Sequence, residues 1–446
     1  MGASLFDDSD PAIAALTAAN AAFAAKYPGD PVGRQPVHTL YLAAQHFAAG
    51  ATRAIGDQAL RALDRYGRDP GDFARAIGAG ALDASLASTV HARVKAKLER
   101  EPIEDLRIDF EDGFGRRPDD EEDRVAIAAA RDLARALAAK TAPPFTGIRI
   151  KSLGPDTVAR AARTLEHFLG ALLEAHGAMP AGFVVTLPKV NVPEQPRALV
   201  RWLERLEAQH GLAAGTLRFE IMVETTQGFL DAGGRSPLPS FLDASEGRCT
   251  AVHLGVYDFT ASCEVAALYQ STAHPMCELA RNLMRLACGG RGVFLSDGST
   301  HVLPIGPQRS RDLGEAQRAE NTAAVHAAWR LAYAHVRHAL EGGFYQGWDL
   351  HPAQLPVRFA ATYVFFLEGF ARAAARLHAF LTPSTDGADR AVADEPATAQ
   401  ALFNTLQRAY ACGAIDPSDL AAAGLTPREV AMRSVNEVLA SRRATP

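Results

Sequence analysis

Residues able to do acid–base, metal or anion chemistry stand at the ends of short apolar runs. Glu111 and Asp112 follow DLRIDF, Arg149 and Lys151 belong to GIRIK, Lys189 to TLPK, and Asp349 and His351 to GWDLH. Glu224 closes FEIMVE and Asp258 closes AVHLGVYD. These last two runs are consecutive, so their carboxylates are expected side by side. Two carboxylates that leave coordination positions open suit magnesium, which keeps several waters and accepts one or two protein ligands. The competing reading is that each acid pairs with an arginine or caps the following helix. Arg149 at a strand end is placed to hold a carboxylate bidentately or to stabilise a developing enolate. A salt bridge to the DFED stretch of the neighbouring strand is the alternative.

The chain has six lysines, at positions 26, 95, 97, 140, 151 and 189, and two of them, Lys151 and Lys189, stand at strand ends. A desolvated lysine there fits a Schiff-base aldolase, but neutralising nearby carboxylates is the favoured reading. His351 precedes Pro352, which places it in an extended turn. Both an acid–base role and a helix-capping role remain open for it.

The elements that must position these groups show one rhythm. Apolar or β-branched runs at 36–43, 106–111, 147–153, 182–190, 217–224, 250–258, 292–296 and 344–350 read as eight strands buried on both faces. Between them lie stretches with helical apolar spacing, such as 120–139, 156–176 and 194–210, with Pro-Asp-Thr and Val-Pro-Glu start signals before the latter two. Eight strands alternating with helices, without GxGxxG after the first, predict an α/β fold: a (β/α)8 TIM barrel with helical insertions and a C-terminal helical appendage. Its expected parts are an N-terminal helical extension at 1–35, the barrel at 36–380 and the appendage at 381–446, opened by the loop TPSTDGADRAVADEP. The long loop from Leu303 to Gln317 follows the seventh strand. In such a barrel the strand ends converge on one mouth.

The 446 residues are 48% hydrophobic and 22% charged, with a formal charge of −5. This excludes a disordered or coiled-coil chain and gives no basic footprint for nucleic acid. Five cysteines without a CxxC pair argue against a disulfide framework or structural zinc and for a reducing cytoplasm. No secretory leader and no membrane span are read.

Taken in order, the motifs resemble the citrate lyase β-subunit / HpcH–HpaI aldolase family, in the phosphoenolpyruvate/pyruvate-binding barrel superfamily that includes malate synthases. The segments that carry the resemblance are DLRIDFEDGFG, GIRIKSL, VVTLPKV, IMVETTQGF, HLGVYDFTAS and GWDLHPAQL. The resemblance implies magnesium held by Glu224 and Asp258, and an arginine, Arg149, that touches a 2-oxo acid or its enolate. It also implies that Glu111 and Asp112 hold metal waters and Arg149, and that Lys189 supports them. Relatives that use acyl-CoA thioesters take a C-terminal aspartate as base, often across a subunit boundary, and Asp416 in ACGAIDPSDL matches it. Lys151 stands where the family has Asn, and FTASC after Asp258 lacks the family's second acid.

The expected reaction is magnesium-dependent carbon–carbon cleavage or condensation of a short 2-oxo or hydroxy acid, free or as a CoA thioester, in a homo-oligomer. Two alternatives are a CoA-independent pyruvate aldolase with water activated by metal or His351, and a non-catalytic metabolite-binding barrel.

Overall fold

A computed structural model describes residues 10–31, 33–310, 312–382 and 396–444. Eight parallel strands close into a barrel in sequential order. They are β1 (His38–Ala43), β2 (Asp105–Asp109), β3 (Phe145–Arg149), β4 (Phe183–Leu187), β5 (Arg218–Val223), β6 (Cys249–Leu254), β7 (Phe294–Ser299) and β8 (Gln346–Asp349). The expected (β/α)8 architecture is present. Several strands are shorter than the apolar runs. β6 stops at Leu254, and Asp258 lies in the first turn of the helix Val256–Ser262.

Strand alternation divides the sheet into two faces. The outward face is aliphatic: Leu40, Leu106, Ile108, Ile148, Val185 and Ile221 are buried beneath the helical ring. The inward face is polar, which departs from the expectation of strands apolar on both sides. Arg107 on β2 reaches across the lumen, its Nε donating to Glu220 on β5 at 3.1 Å and its Nη2 to Asp105 at 2.7 Å. His253 on β6 lies 3.0 Å from Glu220 and accepts from Trp348 Nε1 at 3.0 Å. Gly147 makes room for this arm, since a Cβ there would stand 2.3 Å from Arg107 Nη1 and 1.9 Å from Val184 O.

Three helices, Ala51–Tyr66, Pro70–Ala76 and Ala84–Arg100, fill the long connection between β1 and β2. The helices Pro396–Ala411, Pro417–Ala422, Pro427–Val430 and Val435–Ala444 bury Phe403, Leu406, Ile415 and Leu420 in the same apolar core as the barrel's helices. The expected opening loop of this region, from Thr382 on, lies almost wholly outside the described residues. The helix Pro11–Lys26 buries none of its residues. Among the described residues no helix is long and apolar enough to cross a membrane.

Candidate active site

The C-terminal ends of β2 to β6 bring five carboxylates and two cations together. Asp109 and Arg149 are register partners on β2 and β3. Both Asp109 oxygens accept from the guanidinium, each at 2.6 Å, from Nε and Nη2. Asp109 also accepts from the Glu111 and Gly113 N–H groups, at 2.9 and 2.8 Å, which curls the chain back over the strand end. Arg149 Nη1 is left facing Glu111 at 3.3 Å, Asp112 at 3.5 Å and the Met222 sulfur at 3.9 Å. Its guanidinium lies 4.9 Å from the centre of the Tyr41 ring, and Tyr41 packs against Trp348.

Lys189 has a left-handed backbone, φ 54°, which a side-chain-bearing residue adopts only when its surroundings impose it. Here its N–H donates to Glu224 Oε1 at 2.8 Å. Its ammonium group donates to Glu111 and lies 3.1 Å from Asp112 and 3.0 Å from Asp258. Burial opposes that charge, but the surrounding carboxylates hold the lysine far above its ordinary value.

Glu224 is 2% exposed and rests on the backbone of residue 255, where a Cβ would stand 2.3 Å from Oε2. Burial pushes its carboxyl up to about 8, helped by Asp258 and Glu111 and opposed by Lys189 and Arg149. Glu111 is raised to about 7, again chiefly by burial. Five carboxylates against two permanent cations leave an excess of three negative charges if all ionise. The raised values of Glu224 and Glu111 show how the cluster relieves that excess with protons.

The same imbalance bears on a metal. Among the described residues no three His, Cys, Asp or Glu side chains form a metal cage. The Asp258 carboxylate helps to raise Glu224, and both contact Lys189. Two hard oxygen donors with the remaining positions left to water or substrate fit magnesium, not zinc or a thiolate metal.

Arg149, Glu111, Asp112, Lys189, Glu224 and Asp258 are therefore brought together; the other sequence-derived candidates are not. The Lys151 ammonium turns to Phe110 O at 2.7 Å, Gly115 O at 3.3 Å and Glu122 at 2.9 Å, where it pins the loop after β2 to the helix Asp119–Ala138. His351 caps the short helix Pro352–Gln354, its Nδ1 accepting from Ala353 N–H at 3.1 Å, and burial lowers its basicity. Asp416 caps the helix Pro417–Ala422 and lies 3.4 Å from Arg93. The salt bridge from Arg149 to the DFED stretch, read as the alternative, is present, with Asp109 as its principal partner; Tyr41 as its cation–π platform was not read from sequence. The parity of D-L-R-I-D, with residues 105, 107 and 109 all facing inward, is the signal that marks Asp109.

The family described as "Domain of unknown function (DUF6986)" matches residues 16–438. The chain belongs to that family. No curated protein matches it. Among solved structures it is similar to a citrate lyase from Burkholderia xenovorans LB400, at 18% identity and a TM-score of 0.51, over 88% of this chain and 98% of that one. It is also similar to CitE from Mycobacterium tuberculosis in complex with magnesium, acetoacetate and coenzyme A, at 17% identity and a TM-score of 0.44, over 86% and 98% of the chains. A malate synthase from Haloferax volcanii, as a lead(II) complex, aligns at 14% identity and a TM-score of 0.42, over 79% and 84%. The likeness to the Burkholderia protein shows a shared barrel fold.

Proposed function

We propose that the protein is a magnesium-dependent carbon–carbon lyase of aldolase type. Its substrate is a short 2-oxo or hydroxy acid, free or as a coenzyme A thioester. The observation that carries this reading is the excess of carboxylates at the barrel mouth beside one rigidly held guanidinium. A purely structural cluster has no reason to hold Glu224 and Glu111 buried among further acids at an open strand end.

Glu224 and Asp258 are the residues that would hold the divalent ion, with Glu111 and Asp112 facing its waters. When bound, such an ion acts as a Lewis acid toward charge developing on a keto oxygen. Arg149, locked by Asp109, keeps Nη1 directed at the cluster, where it can donate to the carboxylate or enolate oxygen of a bound acid. Lys189 fixes the orientation of Glu224 through its main chain and of Glu111 through its side chain.

A second reading is a metal-dependent aldolase that needs no thioester and makes no use of Asp416. In that reaction the proton is taken by a water at the mouth. A homo-oligomeric assembly in a reducing cytoplasm belongs to the same proposal, and all five cysteines are free. The test is turnover of a panel of 2-oxo acids, hydroxy acids and their thioesters with magnesium. Glu224→Ala, Asp258→Ala and Arg149→Ala should each abolish the activity found. Undiminished turnover in all three would refute the assignment.

A further inference from the structure

The helix Pro11–Lys26 is built for burial and is not buried. Nine of its 16 residues are alanine, and no charged side chain lies between its cap, Asp10, and Lys26. Its large side chains are Ile13, Leu16 and Phe23, of which Leu16 is 56% and Phe23 65% exposed. A helix that is apolar all round belongs inside a packed structure, whereas a solvated one carries charge along its outer face.

The root of this helix is rigid. Gly29 N–H donates to Gly290 O and Gly292 N–H to Gly29 O, both at 3.0 Å. Lys26 lies 3.1 Å from Asp243, which also pairs with Arg291, and the Arg291 guanidinium stands 5.7 Å from the centre of the Tyr27 ring. These contacts hold the root beside the C-terminal end of the helix Pro275–Cys288. The outer face of that second helix is also apolar and uncovered: Leu279 is 48% and Leu286 83% exposed, with Met276 and Leu283 partly buried next to them.

The two faces match. Ile13, Leu16, Asn20 and Phe23 are spaced by three, four and three residues, and so are Met276, Leu279, Leu283 and Leu286. That is the spacing of a knobs-into-holes seam. The helices are about 24 Å and about 21 Å long, so each covers the other nearly end to end. Alanine elsewhere on the first helix lets the two backbones come close. Within one chain the faces do not meet, since both are exposed. A membrane surface is a poor occupant, because a helix lying in it needs a basic polar face, and this one has none.

We infer that the helix Pro11–Lys26 is an exchanged arm that packs along the helix Pro275–Cys288 of a second copy of the chain. With a two-fold axis near the two roots, the arm lies parallel to that helix. Phe23 then meets the partner subunit's Leu286, and Leu16 meets the partner subunit's Leu279. The symmetry supplies the contact twice. Each copy thus contributes two helix faces about 20 Å long, on the order of the 800 Å² per partner that a stable interface needs, whereas a single contact falls short. The inference is independent of the lyase reading.

Sedimentation velocity of the full chain over a dilution series should show a dimer. The Leu16→Glu, Phe23→Glu variant and the Leu279→Glu, Leu286→Glu variant should each weaken it about tenfold or more, since both force charge into an apolar seam. Leu331→Glu, on another helix, should leave it unchanged. Unchanged circular dichroism separates lost association from lost folding. A chain that stays monomeric at micromolar concentration would overturn the inference, as would full affinity in either double variant. Cysteine pairing tests the partner directly. A Phe23→Cys chain mixed with a Leu286→Cys chain and oxidised should give a disulfide-linked dimer with one chain of each kind. Linked dimers from Phe23→Cys alone, above the level of the native chain, would show arm pairing with arm and contradict the exchange. An internal disulfide in a monomeric Phe23→Cys, Leu286→Cys chain would show the arm covering its own subunit and contradict it equally.

Discussion

The middle of the barrel lumen and its mouth both hold more acids than permanent cations, and they differ in the size of the excess, one against three, and in access to solvent. In the lumen Arg107 meets Asp105 and Glu220, with His253 beside Glu220, and the group is sealed from solvent. Burial alone would raise the Glu220 carboxyl, but Arg107 and His253 overcome this and hold it well below the usual carboxylate range. At the mouth five acids meet two cations, Glu224 sits at about 8, and Asp258 is partly exposed. Buried charge is thus no mark of function by itself in this molecule. The proposed function rests on unmatched charge at an accessible strand end.

The sharpest way to break the contrast is to unbalance the lumen. Arg107→Met leaves two buried carboxylates without their partner and should cost about 3–5 kcal/mol of stability. A melting curve checks this, and activity per folded molecule should hold. The converse change at the mouth, Arg149→Ala, should lower kcat/KM by about 10²–10³, or 2.7–4 kcal/mol, with a much smaller change in melting temperature. A large loss of stability with normal kinetics would reverse the two roles.

A third prediction concerns pH. His38 is fully buried and its Nε2 accepts from Glu104 N–H at 3.2 Å, so the ring is neutral in the fold. Burial lowers it from 6.5 to about 4, against the pull of Asp349 and Glu104. The unfolded chain therefore takes up a proton before the folded one does. The stability that depends on this ring is complete above pH 6.5 and is lost as pH falls toward about 4, to a limit of about 3 kcal/mol. The stability difference between wild type and His38→Gln, followed by denaturant titration from pH 7 to pH 4.5, should shrink by that order. A pH-independent difference contradicts it.

The smallest expected effect tests the seat of Glu224. Gly255→Ala places a Cβ within 2.4 Å of the Glu224 side chain, so the carboxylate must move. It should impair magnesium affinity and turnover while the chain stays folded.

The barrel was legible because eight apolar runs alternate with amphipathic stretches, and the site because charge ends most of them. The finer geometry was not legible. Asp258 looked like a strand end, but the strand stops before Gly255 and a new helix carries the carboxylate. The left-handed backbone at Lys189 leaves no trace in composition, since lysine is not a residue chosen for that conformation. Asp416 and His351 were legible in another sense. D-P-S-D and H-P-A-Q both follow the capping-box pattern, with Pro at the first helical position, and both segments fold that way. The lumen went unread because D-L-R-I-D and F-E-I-M-V look like mixed runs until the two-residue period assigns their charges to the inner face.

The most direct test of the central claim is calorimetric titration of magnesium into wild type and into the Glu224→Gln, Asp258→Asn variant, at pH 6 and at pH 8.5. Glu224 is largely protonated below about 8, so a cation must displace its proton. The account predicts one site in wild type, tighter at the higher pH and releasing protons at the lower, and no site in the variant. Equal magnesium affinity in both proteins, or none in wild type at either pH, would contradict it.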